Sequence, residues 1–206
     1  MKPPRINNIK KIFYTYVFTL SEFHDESDLI MLNLKKYFKR AYGLVYDTNC
    51  EDYFHYYWDG IGYADVIVLN THSYPEGMFN NLYIQDVRKL RKINCKALII
   101  LGCNAGHYTY LWSNIAYEFS HKISGIVLAS DGTVAGPSST NELTYKSVND
   151  KYYREFLPEN NKSRKNIGWV LYKTNNVNTT WYLTDMKEIA IPSILDYLQN
   201  CGYVKF

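Results

Sequence analysis

The sequence predicts an α/β protein with a mostly parallel sheet, on three observations. Two apolar runs, 65–71 and 97–102, are as short and as rich in β-branched and aliphatic residues as fully buried parallel strands. About 30 residues separate the ends of the two runs, which is enough for one helix and its turns. Strand-like and helix-like segments alternate along the rest of the chain. This alternation predicts helices on both faces of one sheet, and 206 residues fit a single domain.

The first elements follow from local signals. Residues 1–9, with two prolines, are expected to form a loose arm, and the apolar run over 11–19 predicts the first strand. A helix is predicted over 28–42, because Ser27 can cap its first turn and basic residues fill its last turn. Gly43 is expected to end this helix, since glycine readily adopts the left-handed conformation of a helix stop.

The later elements are predicted by the same apolar patterns and turn residues. The further strands are 44–46, 65–71, 97–102, 125–130 and 169–172, with 180–183 as a candidate for a short seventh. The further helices are 81–93, 106–121, 142–156 and 186–199, and 51–60 is expected to be an aromatic helix or turn. The segments expected to be loops are 73–80, 131–140 and 158–166. We therefore expect a three-layer sandwich around a six-stranded, mostly parallel sheet.

The composition favours a globular protein and argues against several classes of partner. At 47% hydrophobic and 21% charged residues the chain is not disordered, and a net charge of +3 without a basic block gives no ground for binding nucleic acid or a membrane. We interpret the 21 tyrosines as a compositional bias rather than a carbohydrate-binding surface. The first apolar run lacks a signal-cleavage site and is too short to span a bilayer, so we expect a cytoplasmic protein.

A histidine and a cysteine stand at the ends of the two apolar runs, His72 after the first and Cys103 after the second. Strands joined by a helical crossover point the same way, so neighbouring strands would bring both residues to the carboxyl edge of the sheet, where ligands bind. A cysteine beside a histidine makes a nucleophile with its general base. Cys50, Cys95 and Cys201 show no metal-ligand spacing and are interpreted as structural, which fits a reducing compartment.

The residues around Cys103 suit this chemistry. A helix predicted to begin near Gly106 and a neighbouring imidazolium would both favour the thiolate. Gly102 and Gly106 permit tight turns and a close approach of substrate. The backbone amides of Cys103 and Ser73 could bind the oxyanion that forms when the sulfur attacks a carbonyl. His107, one turn further on, is the alternative base.

Two blocks of sequence carry a resemblance to a known family. Val66 to His72 is a hydrophobic strand that ends in histidine, and Ala97 to Cys103 is one that ends in a small residue and cysteine. This pair resembles the histidine and cysteine blocks of the caspase-like (clan CD) cysteine peptidases. Gly102-Cys-Asn-Ala-Gly106 is most similar to the clostripain, CHAT and toxin-domain branches, and 126–136 resembles the segment after their catalytic helix. The resemblance covers 60–140 well and the flanks only by topology.

The resemblance implies a caspase-haemoglobinase fold and a cysteine endopeptidase with a dyad, Cys103 as nucleophile and His72 as general acid and base. It implies a peptide or protein substrate and no cofactor or metal for the chemistry, although the family includes members that respond to calcium or inositol phosphates. Asp131 and Ser130, which end the next strand, are candidates for the substrate pocket. The Asp131 carboxylate would favour substrates with arginine or lysine before the scissile bond. The alternative is that Asp131 is only a turn residue, because Asp-Gly is a common turn sequence.

One residue departs from the family pattern, because Ser73 stands where members usually have glycine. Its amide remains, but a serine is disfavoured if the position needs a positive φ. The departure leaves open a catalytically inactive relative that acts as a regulatory or interaction module. A flavodoxin-like binding domain is a second alternative. It would need a glycine-rich phosphate loop after the first strand, and Leu20-Ser-Glu-Phe-His24 offers none.

Overall fold

A computed structural model describes most of the sheet and the segments around its carboxyl edge. The described residues are 13–37, 41–47, 51–79, 81–107, 113–131, 133–135, 155–157, 168–173, 176–182, 191–200 and 202–206. The arm expected at 1–9 and the loop expected at 158–166 lie outside these ranges.

Strands and helices alternate in the described chain, which confirms the α/β class. The strands are β1 (Phe13–Thr19), β2 (Ala41–Asp47), β3 (Tyr63–Asn70), β4 (Ser73–Tyr74), β5 (Gly77–Met78), β6 (Leu82–Tyr83), β7 (Asn94–Leu101), β8 (Ile126–Asp131), β9 (Thr133–Ala135), β10 (Glu155–Leu157), β11 (Gly168–Lys173) and β12 (Asn176–Tyr182). The helices are α1 (His24–Tyr37), α2 (Glu51–Gly60), α3 (Ile84–Lys89), α4 (Ile115–Ser120) and α5 (Ile191–Asn200), and a 3₁₀ turn, Ser21–Phe23, precedes α1. None of the helices that the structure describes has both the length and the apolar character needed to cross a membrane.

The main sheet is mixed and mostly parallel, as predicted. Its strand order is β12-β11-β8-β7-β3-β1-β2. The strands from β8 to β2 run parallel to one another, whereas β11 is antiparallel to both β8 and β12. The described sheet therefore has seven strands where six were expected, because the candidate seventh strand pairs with β11 and extends the edge.

Helices cover both faces of the sheet, an arrangement compatible with a three-layer sandwich. One apolar cluster joins the strands to α1 and α5 and includes Val68 of β3 and Ile30 of α1. The other joins them to α2, α3 and α4 and includes Ile67 of β3 and Trp58 of α2. Val68 and Ile67 are neighbours in sequence and enter opposite clusters, because successive side chains of a strand point to opposite faces.

The first helix begins and ends earlier than the sequence predicts. Ser27 does not cap it but is buried within it, where its hydroxyl accepts a hydrogen bond from Asn70 Nδ2 at 3.0 Å. Gly43 does not end it but lies in β2, where a Cβ would come within 2.0 Å of Met31 Sδ. The glycine is there because α1 packs closely against this strand.

Segments on either side of the central strands also differ from expectation. The loop predicted over 73–80 contains a hairpin, β4 and β5, and the helix predicted over 106–121 appears as the short α4, whose cap Asn114 accepts from the Tyr117 amide at 2.8 Å. The end of the helix predicted over 142–156 is the strand β10, which pairs with β9. Pairing between distant segments, which local patterns do not encode, outweighs helix propensity there.

Candidate active site

β3 and β7 are adjacent and parallel, so the residues that follow them lie at one edge of the sheet. Asn70 pairs with Leu101 at the end of the shared register, and the Thr71 amide donates to the Leu101 carbonyl at 3.5 Å. His72 and Cys103 each come two residues after that pair. The prediction that neighbouring parallel strands lead to both residues at one carboxyl edge is therefore confirmed for the backbone.

The same edge contains the point where the strand order reverses. β1 lies between β2 and β3, so the chain leaves β1 towards one side of the sheet and later continues on the other. In open α/β sheets such a switch point leaves a crevice outside the carboxyl ends of the strands, where ligands bind. The loops that follow β1 and β3 leave the sheet on either side of this switch point, and the loop after β3 carries His72.

His72 is held by two consecutive residues of the turn after β1. Its Nε2 lies 3.0 Å from Glu22 Oε1, and its ring meets the Phe23 ring edge-on, with 4.9 Å between the centroids. The side chain is nevertheless 67% exposed. The imidazole is therefore oriented by the protein while it remains accessible to a substrate.

Cys103 lies in a tight turn and not at the start of a helix. Asn104 after it has a φ of 54°, in the left-handed region that asparagine tolerates better than most residues. The His107 amide donates to the Asn104 carbonyl at 3.0 Å and closes the turn. The helix that the structure describes next begins only at Ile115. The expectation that a helix beginning near Gly106 favours the Cys103 thiolate is therefore not supported by α4.

The glycine before Cys103 is enclosed on two sides. A Cβ on Gly102 would come within 2.1 Å of Ser73 Oγ and 2.9 Å of the Thr71 carbonyl oxygen, so the position requires glycine. From β8, Ser130 Oγ donates to the Gly102 carbonyl, and the Ser130 carbonyl accepts from the Gly106 amide at 2.8 Å. Ser130 is fully buried and supports this turn through both hydrogen bonds, and its role in a substrate pocket stays a prediction.

Ser73 joins the histidine segment to the cysteine turn. Its Oγ donates to the Cys103 carbonyl at 2.8 Å. Among the described non-glycine residues, positive φ values occur at Phe79 and Asn104 and not at Ser73, so the steric objection to serine at this position does not apply. Both residues with positive φ adjoin the candidate pair, and strained backbone tends to concentrate at functional sites.

The Ser73 amide points away from β5. The Phe79 amide donates to the His72 carbonyl at 3.1 Å, which is one of the two contacts expected of a hydrogen-bonded pair just beyond these strands. Such pairs alternate with non-hydrogen-bonded ones along antiparallel strands, so Ser73 and Met78 form a non-hydrogen-bonded pair. The Ser73 amide is therefore compatible with the oxyanion role that the sequence suggests for it.

Two exposed tyrosines follow His72 in the small antiparallel sheet of β4, β5 and β6. Tyr74 is 43% exposed and Tyr83 is 36% exposed, and their ring centroids are 6.4 Å apart. Partial burial of Tyr74 and its hydrogen bond with Tyr83 raise the pKa of Tyr74 to about 12. The pair offers an aromatic surface close in sequence to the candidate base.

The other residues singled out by sequence have different outcomes. Asp131 ends β8 at the same sheet edge, but its side chain lies outside what the structure describes, so its pocket role stays a prediction. His107 is exposed after the cysteine turn and stays the alternative base. Cys95 is buried in β7, and burial raises the pKa of its thiol to about 12, which confirms a structural thiol. Cys50 and Cys201 fall outside the described ranges.

Sequence reasoning missed Glu22 and the side-chain role of Ser73. The signal for Glu22 was a carboxylate in the loop after the strand that neighbours the histidine strand. Recognising this carboxylate as a partner of His72 would have required knowing that β1 pairs with β3. In the part of the chain that the structure describes, no three His, Cys, Asp or Glu side chains are grouped so that they could hold a metal ion.

No model of a known protein family matches the sequence, and neither a curated protein nor a solved structure matches it. The function must therefore be inferred from the residues themselves.

Proposed function

We propose that the chain is a cysteine endopeptidase in which Cys103 is the nucleophile and His72 is the general acid and base. One observation carries the proposal: β3 and β7 share a carboxyl edge, and the chain continues from them into His72 and Cys103 at equivalent positions beyond the last register pair. The exposed imidazole and the partly exposed thiol are both open to a substrate at this edge. A thiol with an adjacent base is the usual arrangement for covalent catalysis by cysteine.

The proposed reaction proceeds in two stages. The Cys103 thiol proton passes to His72, and the sulfur attacks the carbonyl carbon of the scissile peptide bond. The amides of Ser73 and Cys103 donate to the oxyanion of the tetrahedral intermediate. The intermediate collapses to a thioester as the imidazolium protonates the departing amine. Water then gives a proton to His72 and attacks the thioester, which releases the acid and returns the proton to the thiol.

The caspase-haemoglobinase fold is part of the same proposal. The order β2-β1-β3-β7-β8-β11 has five parallel strands followed by an antiparallel one, and it supports the mostly parallel six-stranded sheet that the resemblance implies. β12 is then an addition at the edge. Asp131 ends β8 beside β7 at this edge, so we propose a preference for arginine or lysine before the scissile bond.

The strand order also favours a second candidate, a flavodoxin-like domain that binds a small ligand. Its parallel part, β2-β1-β3-β7-β8, has the order of flavodoxin-like sheets. The turn after β1 is the place where such a domain would bind phosphate, yet this turn and the start of α1 carry Glu22, Asp25 and Glu26. Acidic side chains repel an anion, so the peptidase is the better supported of the two.

A fluorogenic peptide library with arginine, lysine and other residues before the scissile bond tests the proposal, with and without calcium and an inositol phosphate. Cleavage and labelling by a peptidyl thiol-reactive probe are expected for the wild type and not for Cys103→Ala. His72→Ala is expected to lose turnover, whereas His121→Ala, which removes an exposed histidine at the end of α4, is the matched control. Turnover that survives the Cys103→Ala substitution would refute the assignment of Cys103 as the nucleophile. A wild type that neither cleaves nor labels under any condition would favour an inactive regulatory module.

A further inference from the structure

The turn after β1 is built to reach the segment after β3. β1 and β3 are parallel neighbours, and Thr19 pairs with Asn70 at their carboxyl ends. The chain then forms the 3₁₀ turn Ser21–Phe23, in which the Phe23 amide donates to the Leu20 carbonyl at 2.9 Å. The turn leads directly into α1 and keeps two consecutive side chains, Glu22 and Phe23, beside His72.

Glu22 and Phe23 constrain the imidazole in complementary ways. The carboxylate contacts Nε2 at 3.0 Å, which directs one edge of the ring, and Phe23 lies at 68° to the ring plane, which limits its rotation. An ionised carboxylate only accepts hydrogen bonds. In the neutral imidazole the hydrogen is therefore on Nε2, and Nδ1 is the basic nitrogen.

We propose that Glu22 is a positioning residue that fixes the orientation and the tautomer of His72, a role that rests on the proposed peptidase function. With Nε2 bound to Glu22, Nδ1 is the nitrogen that takes the Cys103 proton. The same carboxylate stabilises the imidazolium that forms when the proton has moved. The functional unit then consists of the dyad of Cys103 and His72 with the positioning carboxylate of Glu22, which comes from the turn after β1, the neighbour of β3 on the side away from β7.

The exposure of the pair limits the effect to be expected. In serine peptidases a buried aspartate performs this task, and loss of its charge lowers kcat about 10⁴-fold. The Glu22 and His72 side chains are 57% and 67% exposed, so water competes for the contact. Without the Glu22 charge, only part of the His72 rings would be misoriented or in the wrong tautomer. We therefore expect loss of this charge to lower kcat about 10-fold. KM is expected to stay nearly constant, since Glu22 acts through His72.

The tautomer can be measured without turnover. Glu22→Gln keeps the size of the side chain, but its amide both donates and accepts, so it does not select one tautomer. In ¹⁵N NMR spectra of the neutral ring, assigned with His72→Ala, the wild type is expected to show a protonated Nε2 and an unprotonated Nδ1. Glu22→Gln is expected to show a mixture. Asp25→Asn removes an exposed carboxylate from the first turn of α1 and is expected to keep the wild-type spectrum. An unchanged spectrum in Glu22→Gln would overturn the proposal.

Turnover gives a second, separable readout. If Glu22→Gln keeps the wild-type kcat in an enzyme that Cys103→Ala inactivates, Glu22 has no positioning role and the peptidase proposal stands. If Cys103→Ala keeps full turnover, the peptidase proposal fails, and the NMR comparison still decides whether Glu22 selects the tautomer of His72. A lower kcat with the same KM, together with mixed tautomers, is the result that supports both.

Discussion

Replacing Ser73 by glycine is expected to weaken the proposed enzyme, although glycine is usual at this position in the family that the sequence resembles. The substitution removes the hydrogen bond from Ser73 Oγ to the Cys103 carbonyl, 2.8 Å long. A neutral hydrogen bond of this kind contributes about 0.5–1.5 kcal/mol. The extra freedom of a glycine backbone within an ordered strand costs about 0.5–1 kcal/mol more. If all of this loss affects the positioning of Cys103, kcat falls about 5- to 70-fold.

Ser73→Ala separates the two contributions, because it removes the hydroxyl and keeps the Cβ. It is expected to lower kcat about 2- to 12-fold, less than Ser73→Gly does. The assay is steady-state cleavage of the best library peptide, with the rate of Cys103 alkylation as a measure of the turn itself. A kcat of Ser73→Gly equal to or above that of the wild type would refute the reasoning, since it would show that the Ser73 hydroxyl does not help to position Cys103.

Three further predictions concern stability, measured by urea unfolding. Gly125→Ala is expected to lose about 3 kcal/mol or more, because a Cβ would come within 1.9 Å of the Lys96 carbonyl oxygen, whereas Gly60→Ala meets nothing within 4 Å and should be near neutral. Lys96→Met is expected to lose about 2–3 kcal/mol, since it removes the ammonium 2.7 Å from the buried Asp65 carboxylate; an unchanged midpoint would contradict this. The raised pKa of Cys95 means that the unfolded chain releases this proton first, so stability should fall as the pH rises from about 9 towards 12. Cys95→Ala should make the free energy of unfolding fall less steeply over this pH range. The same pH dependence in the wild type and the variant would contradict this prediction.

The sequence predicted the central strands well because their signal is local. β3 and β7 are covered on both faces, so most of their residues are apolar, and such runs stand out in any window of sequence. The ends of these runs were also readable, which is why His72 and Cys103 could be selected. Their adjacency needed only the general rule for crossovers between parallel strands.

The errors lie where distant residues decide the local structure. Gly43 looks like a helix stop, but its role depends on Met31 packing across β2, which no local pattern shows. The helix expected after Cys103 is replaced near the site by a turn that depends on Ser130 and its hydrogen bonds to Gly102 and Gly106. Both are contacts between separate elements of the fold.

The same distinction applies to the site. A histidine and a cysteine at strand ends can be recognised from sequence. The side chains that hydrogen-bond to them come from other segments of the chain, and sequence patterns do not show which segments these are. Glu22 contacts His72 from the loop after β1, and Ser73 contacts Cys103 across the end of β7. These supporting contacts depend on register and on strand order, and both are properties of the folded sheet.

Ser73 makes the histidine segment and the cysteine turn parts of one rigid unit. It follows His72 directly, its hydroxyl binds the Cys103 carbonyl, and its side chain occupies the space that a Cβ on Gly102 would need. A displacement of either strand end would therefore break a hydrogen bond or create a clash. Catalysis by a nucleophile and a base needs this constancy of relative position, because small errors in alignment lower the rate steeply. A binding module that used only one of the two loops would have no need to couple them, so the coupling favours the enzyme over such a module.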